Sequence, residues 1–227
     1  MTSVERSVYK VVETFVSING EGAKSGSLAL FIRFQGCNLH CDYCDTEWAN
    51  RDDAPYTEWT DDEIIDLVRE SKVKNVTLTG GEPLIQKDID KLIDRLITET
   101  DCRIEIETNG TISIEKWDGY YNNLSFTLDY KLPGSGVPHF VHTKNYGYLS
   151  EEDTVKFVCS NEEDLDVARE VIEKYSLSEK CNVFFSPVFG KIEPSEIVDY
   201  MMKHRMNGVR LQLQLHKFIW DPEKRGV

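Results

Sequence analysis

The sequence has little positive charge for its length. Against 40 Asp and Glu stand 26 Lys and Arg, which leaves a net charge of -14 over 227 residues. A field of that sign repels phosphodiester backbones rather than gathering them. No apolar run is long enough to cross a bilayer, and Glu5, Arg6, Lys10 and Glu13 interrupt the N-terminal stretch where a signal peptide needs an apolar core. Internal repeats and low-complexity tracts are missing. Six cysteines in a chain with these features read as thiols or metal ligands, not as a disulfide framework. The expectation is a cytoplasmic protein of one domain over residues 1–227, with neither nucleic acid nor membrane as a partner.

What is present is an alternation of short β-branched runs with longer amphipathic patterns, which argues for an α/β fold. Strands are expected at 28–34, 75–79, 103–107, 124–129, 154–158, 183–186 and 209–215, several of them apolar on both faces as parallel strands are. Residues 88–99 put Ile89, Leu92, Ile93, Leu96 and Ile97 on one helical face. Thr60 with Glu63 forms a capping-box pattern that starts a second helix, and 162–175 and 194–204 are further helices. The stretches 108–123 and 131–153 lack an amphipathic period, so helices are expected to be missing there. In units of this kind the loops at the C-terminal ends of parallel strands carry function. The cysteine loop, GGEP (80–83), ETNG (107–110), DYK (129–131) and SPVFG (186–190) all fall at such ends and are expected to share one mouth.

Three cysteines cluster, as Cys37, Cys41 and Cys44, a spacing that lets one loop wrap one inorganic centre. Cys102, Cys159 and Cys181 are scattered at the edges of apolar segments, where a thiol acts as a small hydrophobe. A structural zinc site wants a fourth ligand, which only the neighbouring His40 offers, and an electron-transfer 4Fe-4S cluster normally takes four cysteines. Three thiolates leave one iron open, a catalytic arrangement. Glu107, at a strand end, is a candidate catalytic carboxylate; the alternative is a solvated glutamate in an Asx-type turn.

CxxxCxxC with Tyr43 before the last cysteine, followed after the next strand by Gly80-Gly81-Glu82-Pro83, resembles the radical S-adenosylmethionine (SAM) superfamily. The resemblance implies a partial (β/α)6-type barrel with degenerate helices and N- and C-terminal extensions. It also implies a 4Fe-4S cluster on Cys37, Cys41 and Cys44 whose open iron binds the amino and carboxylate groups of SAM, with Glu82 adding charge near the ammonium. Ser17-Ile18-Asn19-Gly20-Glu21-Gly22, Arg33, Cys44-Asp45-Thr46 and His216-Lys217 narrow the resemblance, end to end, to the 7-carboxy-7-deazaguanine synthase family. By that resemblance, Tyr43, Cys44, Asp45, Gly81, Asp129, Tyr130, Lys131, Ser186, Pro187, Val188 and Phe189 contact SAM. Thr46 helps hold a magnesium ion, for which a hydroxyl is a suitably hard ligand. Ile18, Asn19, Gly20, Glu21, Arg33, Thr79, His216 and Pro222 contact a pterin substrate, Arg33 by a charge-assisted bond to a carboxylate. A structural Asp or Glu is the commoner partner of a buried arginine.

The resemblance further implies a homodimer and an external electron donor of flavodoxin or ferredoxin type. The chain departs from the family at Asn19, where Gln is commoner, at DYK in place of SPK, and in its last residues. Two other readings remain: a radical-activating enzyme acting on a partner protein, and a zinc-stabilised binding module without catalysis.

Overall fold

The computed structural model describes residues 7–119, 123–137, 142–222 and 224–227. In chain order the elements are β1 (Val8–Ile18), β2 (Leu28–Phe34), α1 (Glu47–Asn50), β3 (Thr57–Thr60), α2 (Asp61–Ser71), β4 (Asn75–Gly80), α3 (Ile89–Glu99), β5 (Arg103–Thr108), β6 (Leu124–Tyr130), β7 (Thr154–Cys159), α4 (Glu162–Tyr175), β8 (Asn182–Pro187), α5 (Pro194–His204), β9 (Val209–Leu211) and α6 (His216–Ile219). The strands form one sheet in the order β3-β1-β2-β4-β5-β6-β7-β8-β9. From β2 to β9 every pairing is parallel, while β1 and β3 add an antiparallel edge.

The chemistry of this sheet differs between its two faces. Ile32, Phe34, Val76, Leu78, Ile104, Ile106, Leu128, Val155, Phe157 and Phe185 belong to the apolar core, and the helices pack on that side. There α2 meets β1 and β3, α3 meets β5, α4 meets β7, and α5 meets β8 and β9. Leu92, Ile93 and Leu96 of α3 have no exposed surface, and each such side chain contributes roughly 1.5–3 kcal/mol by leaving water. Intervening positions on β4 to β8 are Thr77, Thr79, Glu105, Glu107, Ser125, Thr127, Asp129, Lys156 and Ser186. The strands β2 and β8 keep buried apolar residues on this face too, in Ala29, Phe31 and Phe184, as the sequence reading had it for several strands, whereas β4 to β7 are largely polar there. Strand period two puts a polar row on the concave face, and the helix layer covers only the convex one.

The described parts of 108–123 and 131–153 hold only short 3-10 turns, at Glu115–Trp117, Pro133–Ser135 and Thr143–Gly147, which is the degenerate pattern expected of a partial barrel. The sheet is not closed by strand pairing. Instead the chain after β1 turns inward, and Gly22 is held by both ends of the Gln212 amide, at 2.8 Å from its N–H and 3.1 Å from its C=O. Leu215 N donates to Gly20 O at 3.1 Å. These bonds explain why β9 stops at Leu211 rather than running to 215: the residues beyond it leave the sheet to grip the 20–22 loop.

Candidate active site

Each loop at the mouth is tied to the next. Gly81 N donates to Phe34 O and Glu82 N to Gly36 O, which fastens GGEP to the start of the cysteine loop. A Cβ on Gly81 would strike Gly36 O and Asn50 Oδ1, so only glycine allows this approach. Glu82, with no exposed surface, accepts from Leu84 N at 3.0 Å, Thr108 Oγ1 at 2.8 Å and Asn109 N at 2.7 Å. Its carboxylate thus clasps GGEP to ETNG and has no oxygen turned to the mouth, contrary to the expectation that it adds charge beside SAM. Burial pushes it above the usual carboxylate range despite these donors. Asp42 N donates to Ser135 O, and Tyr43 OH to Val158 O at 3.4 Å, so the cysteine loop also rests on the chain after β6 and on β7.

Around the sulfurs the donors are amides. Leu39 N lies 3.4 Å from Cys37 Sγ, Asn109 Nδ2 3.8 Å from the same atom, and Asn50 Nδ2 3.4 Å from Cys44 Sγ. Burial pushes the Cys37 and Cys41 thiols up, so they keep their protons until a metal displaces them. Among the described residues no three His, Cys, Asp or Glu side chains converge as ligands of a single ion. Three soft thiolates with N–H donors on the sulfurs fit a larger cluster. The oxygens Asn50 Oδ1 and Asp129 Oδ1 are buried here and have no partner among the described residues. Thr46 makes no capping bond at α1, and its hydroxyl sits 3.6 Å from Cys44 Sγ.

Beneath the loops lies the polar row. Arg33, Thr79 and Glu107 are lateral neighbours on β2, β4 and β5, and Thr79 Oγ1 donates to Glu107 Oε2 at 2.6 Å. Arg33 Nε donates to Glu13 Oε1 at 2.8 Å, with 14% of the arginine side chain exposed; this is the structural pairing that the sequence left open. Glu21 reaches across the lumen to Ser186 Oγ at 3.0 Å and Lys156 Nζ at 3.1 Å. Burial alone would raise the Glu21 carboxyl, but the Lys156 ammonium and the donors Ser186 and Gln214 hold it below its ordinary range. His216 packs on Gly20, where a Cβ would come within 2.7 Å of Nδ1, and burial pushes its imidazole down.

Not every predicted residue faces this space. The Asn19 amide is used inside the protein, donating to Glu105 Oε2 at 3.3 Å and accepting from Thr77 Oγ1 at 3.0 Å. The Tyr130 ring packs against Phe157 in the convex layer at 5.3 Å between centroids, so only its backbone borders the mouth. Val188 is buried, Phe189 is exposed with Lys217 Nζ 5.4 Å from its ring, and Pro222 is exposed in the tail. Ile18 is half-buried at the end of β1, and Asp45 is exposed beside α1.

The sequence reading missed Lys156, Glu105, Thr127, Gln212 and Asn50. The first three carry a legible signal, a polar side chain at every second position of a parallel strand. The amides carry none, because nothing in their local pattern marks a partner distant in sequence.

A partial barrel of parallel strands, with a three-cysteine loop and GGEP joined at its C-terminal mouth, is the architecture of radical SAM proteins. A sequence profile described as Radical SAM superfamily matches residues 31–129. The solved structure titled "Crystal structure of QueE from Escherichia coli" superposes with a TM-score of 0.68 at 19% identity, over 91% of this chain and 94% of that one. Two curated relatives are both named 7-carboxy-7-deazaguanine synthase. That of Clostridium acetobutylicum is 53% identical over 96% of this chain and 99% of its own. That of Chlorobaculum tepidum is 36% identical over 96% of each. The chain belongs to the 7-carboxy-7-deazaguanine synthase family of radical SAM enzymes, whose cofactors are a 4Fe-4S cluster and SAM.

Proposed function

We propose that this enzyme converts 6-carboxy-5,6,7,8-tetrahydropterin to 7-carboxy-7-deazaguanine with loss of ammonia, as a carbon–nitrogen lyase of queuosine-type deazapurine biosynthesis. The observation that carries the reading is a lumen lined by carboxylates, hydroxyls and two charged bases directly under the cysteine loop. A small polar heterocycle fits such a space, whereas a partner protein needs an open docking face. When bound, the cluster and SAM would supply radical chemistry for hydrogen-atom abstraction, with SAM as a recycled cofactor.

Cys37, Cys41 and Cys44 hold the cluster. Gly81, Tyr43 and Asp45, the backbone of Tyr130, and Asp129, Lys131 and Ser186–Phe189 surround SAM, the unpartnered Asp129 Oδ1 being ready for a donor. Glu21 and the backbone of 18–20 take the pterin edge. Since Glu13 occupies only the Nε side of Arg33, the remaining guanidinium N–H groups are left for the substrate carboxylate. Glu107, oriented by Thr79, stands nearest the reacting carbon as a proton-handling group, and His216 and Pro222 close the pocket. Thr46, its hydroxyl free of any capping duty, would offer a hard oxygen to a magnesium ion. The electron comes from a flavodoxin- or ferredoxin-type donor, and the enzyme works in the cytoplasm as a homodimer of single-domain chains. No described helix is long and apolar enough to cross a membrane.

Anaerobic incubation of the reconstituted enzyme with SAM, reductant and carboxytetrahydropterin tests the reading. Deazaguanine is expected to accumulate with SAM unconsumed; deoxyadenosine release without deazaguanine overturns it.

A further inference from the structure

Lys156 has no part in the assignments above, yet it is the most enclosed cation of the lumen. Its side chain on β7 is 12% exposed, and Nζ lies 3.1 Å from Glu21 Oε2 and 3.7 Å from Asp129 Oδ2. Those two carboxylates, 13% and 21% exposed, come from opposite parts of the fold, one from the loop after β1 and the other from the end of β6. Both ends of the bridge are otherwise anchored. Ser186 and Gln214 donate to Glu21 at 3.0 and 3.4 Å, and Lys131 Nζ takes Asp129 Oδ2 at 3.0 Å, which leaves Asp129 Oδ1 buried without a partner.

We propose that Lys156 is a positioning residue that couples the two ligand sites, so that SAM at Asp129 and pterin at Glu21 each bind more tightly in the presence of the other. This rests on the substrate reading given above. One ammonium shared by two carboxylates answers to both, so a change in its hold on one alters its hold on the other. A donor on the free oxygen of Asp129 weakens that carboxylate's hold on Nζ and commits the ammonium to Glu21, holding its carboxylate in the orientation that pterin needs. The reverse holds by linkage. The ammonium stays charged: burial would strip the Lys156 proton, but Glu21, Asp129 and Glu107 together outweigh it and raise its pKa. Removing the cation leaves Glu21 without its ammonium partner and Asp129 with Lys131 alone.

Without reductant both ligands bind the cluster-loaded enzyme and no chemistry follows, so coupling is read as the ratio of SAM dissociation constants without and with carboxytetrahydropterin. The wild-type ratio is expected to be about fivefold or more. Lys156→Met is expected to bring it close to one, with iron content retained. Lys156→Arg keeps the buried charge, and therefore the fold, but its longer planar fork meets the two carboxylates through separate, rigidly spaced nitrogens rather than through one shared ammonium. It is expected to lose more than half of the ratio while SAM affinity alone stays within about threefold, and it decides the matter if the methionine variant does not fold. A purely structural role would lower both affinities together and leave the ratio intact. A wild-type ratio of one with pterin bound, or an unchanged ratio in the variants, overturns the coupling alone. Failure of wild type to bind pterin at all overturns the substrate reading and the coupling with it.

Discussion

Glu82 shows how a single side chain sets the geometry of the mouth. Its oxygens take two backbone N–H groups and one hydroxyl from two different loops, and each donor left buried and unpaired costs about 1–3 kcal/mol. Glu82→Ala is expected to lower unfolding free energy in urea by at least the lower end of that range and to reduce iron retention, although the residue touches no sulfur. Normal stability with normal iron content would contradict the clasp. Glu105 is the counterpart on the floor. It is buried, bonded to Thr127 and Asn19, and pushed above the ordinary carboxylate value of 4.5 by desolvation and then by Glu107. A raised folded pKa means that the native state holds its proton longer than the unfolded chain does. Stability contributed by this group is therefore greatest below about pH 4.5 and falls as pH rises through the folded value. Glu105→Gln removes the titration, and the Asn19 amide and Thr77 hydroxyl can turn to match it. The variant is expected to lose less stability than wild type between about pH 4.5 and pH 8 in parallel thermal melts; superposable profiles would contradict this. At this scale the cysteine loop and GGEP stood out as motifs because their residue types and spacing are rare. The Asn19 and Glu82 side chains have internal partners that were not legible, since a sequence shows a polar group but not the donors and acceptors it meets.

Among the elements, α2 begins on a reciprocal cap in which Thr60 Oγ1 accepts from Glu63 N and Glu63 Oε2 accepts from Thr60 N. Thr60→Ala is expected to cost about 1 kcal/mol without altering iron content, as the cap lies at β3 and far along the chain from the thiolates. A loss of cluster in that variant would mean that α2 supports the mouth in a way not described above. The helices 162–175 and 194–204 end where the sequence placed them, because Asn161 and the proline at 194 fix the starts and left-handed residues at Ser176 and Arg205 fix the stops. By contrast, β1 was not anticipated. Its burial alternates, shifts at a bulge between Val11 and Glu13, and then places Glu13 beside Arg33, a pattern made by pairing with β2 and invisible in local periodicity. β3 is four residues long and exists only as the partner of β1. The end of β9 was likewise set by a distant loop rather than by its own apolar residues.

For the molecule as a whole, a sheet apolar on its helix-covered side and polar on its concave side carries its chemistry inside the barrel instead of on its surface. The sequence showed parallel order and the loops that gather at one end, and the alternation in runs such as RIEIE (103–107) and SFTLD (125–129) is the trace of the two faces. The first and last strands then meet through Gly22 and Gln212, so the substrate loop and the C-terminal tail report on one another. Everything proposed for the lumen depends on three thiolates leaving one iron free for SAM. Mössbauer spectra of enzyme reconstituted with isotopically labelled iron, taken before and after addition of SAM, test this most directly. The account predicts that one iron of the cluster changes its isomer shift when SAM binds while the others, on Cys37, Cys41 and Cys44, stay as they were. Spectra indifferent to SAM, or a protein that takes up no iron, would contradict it.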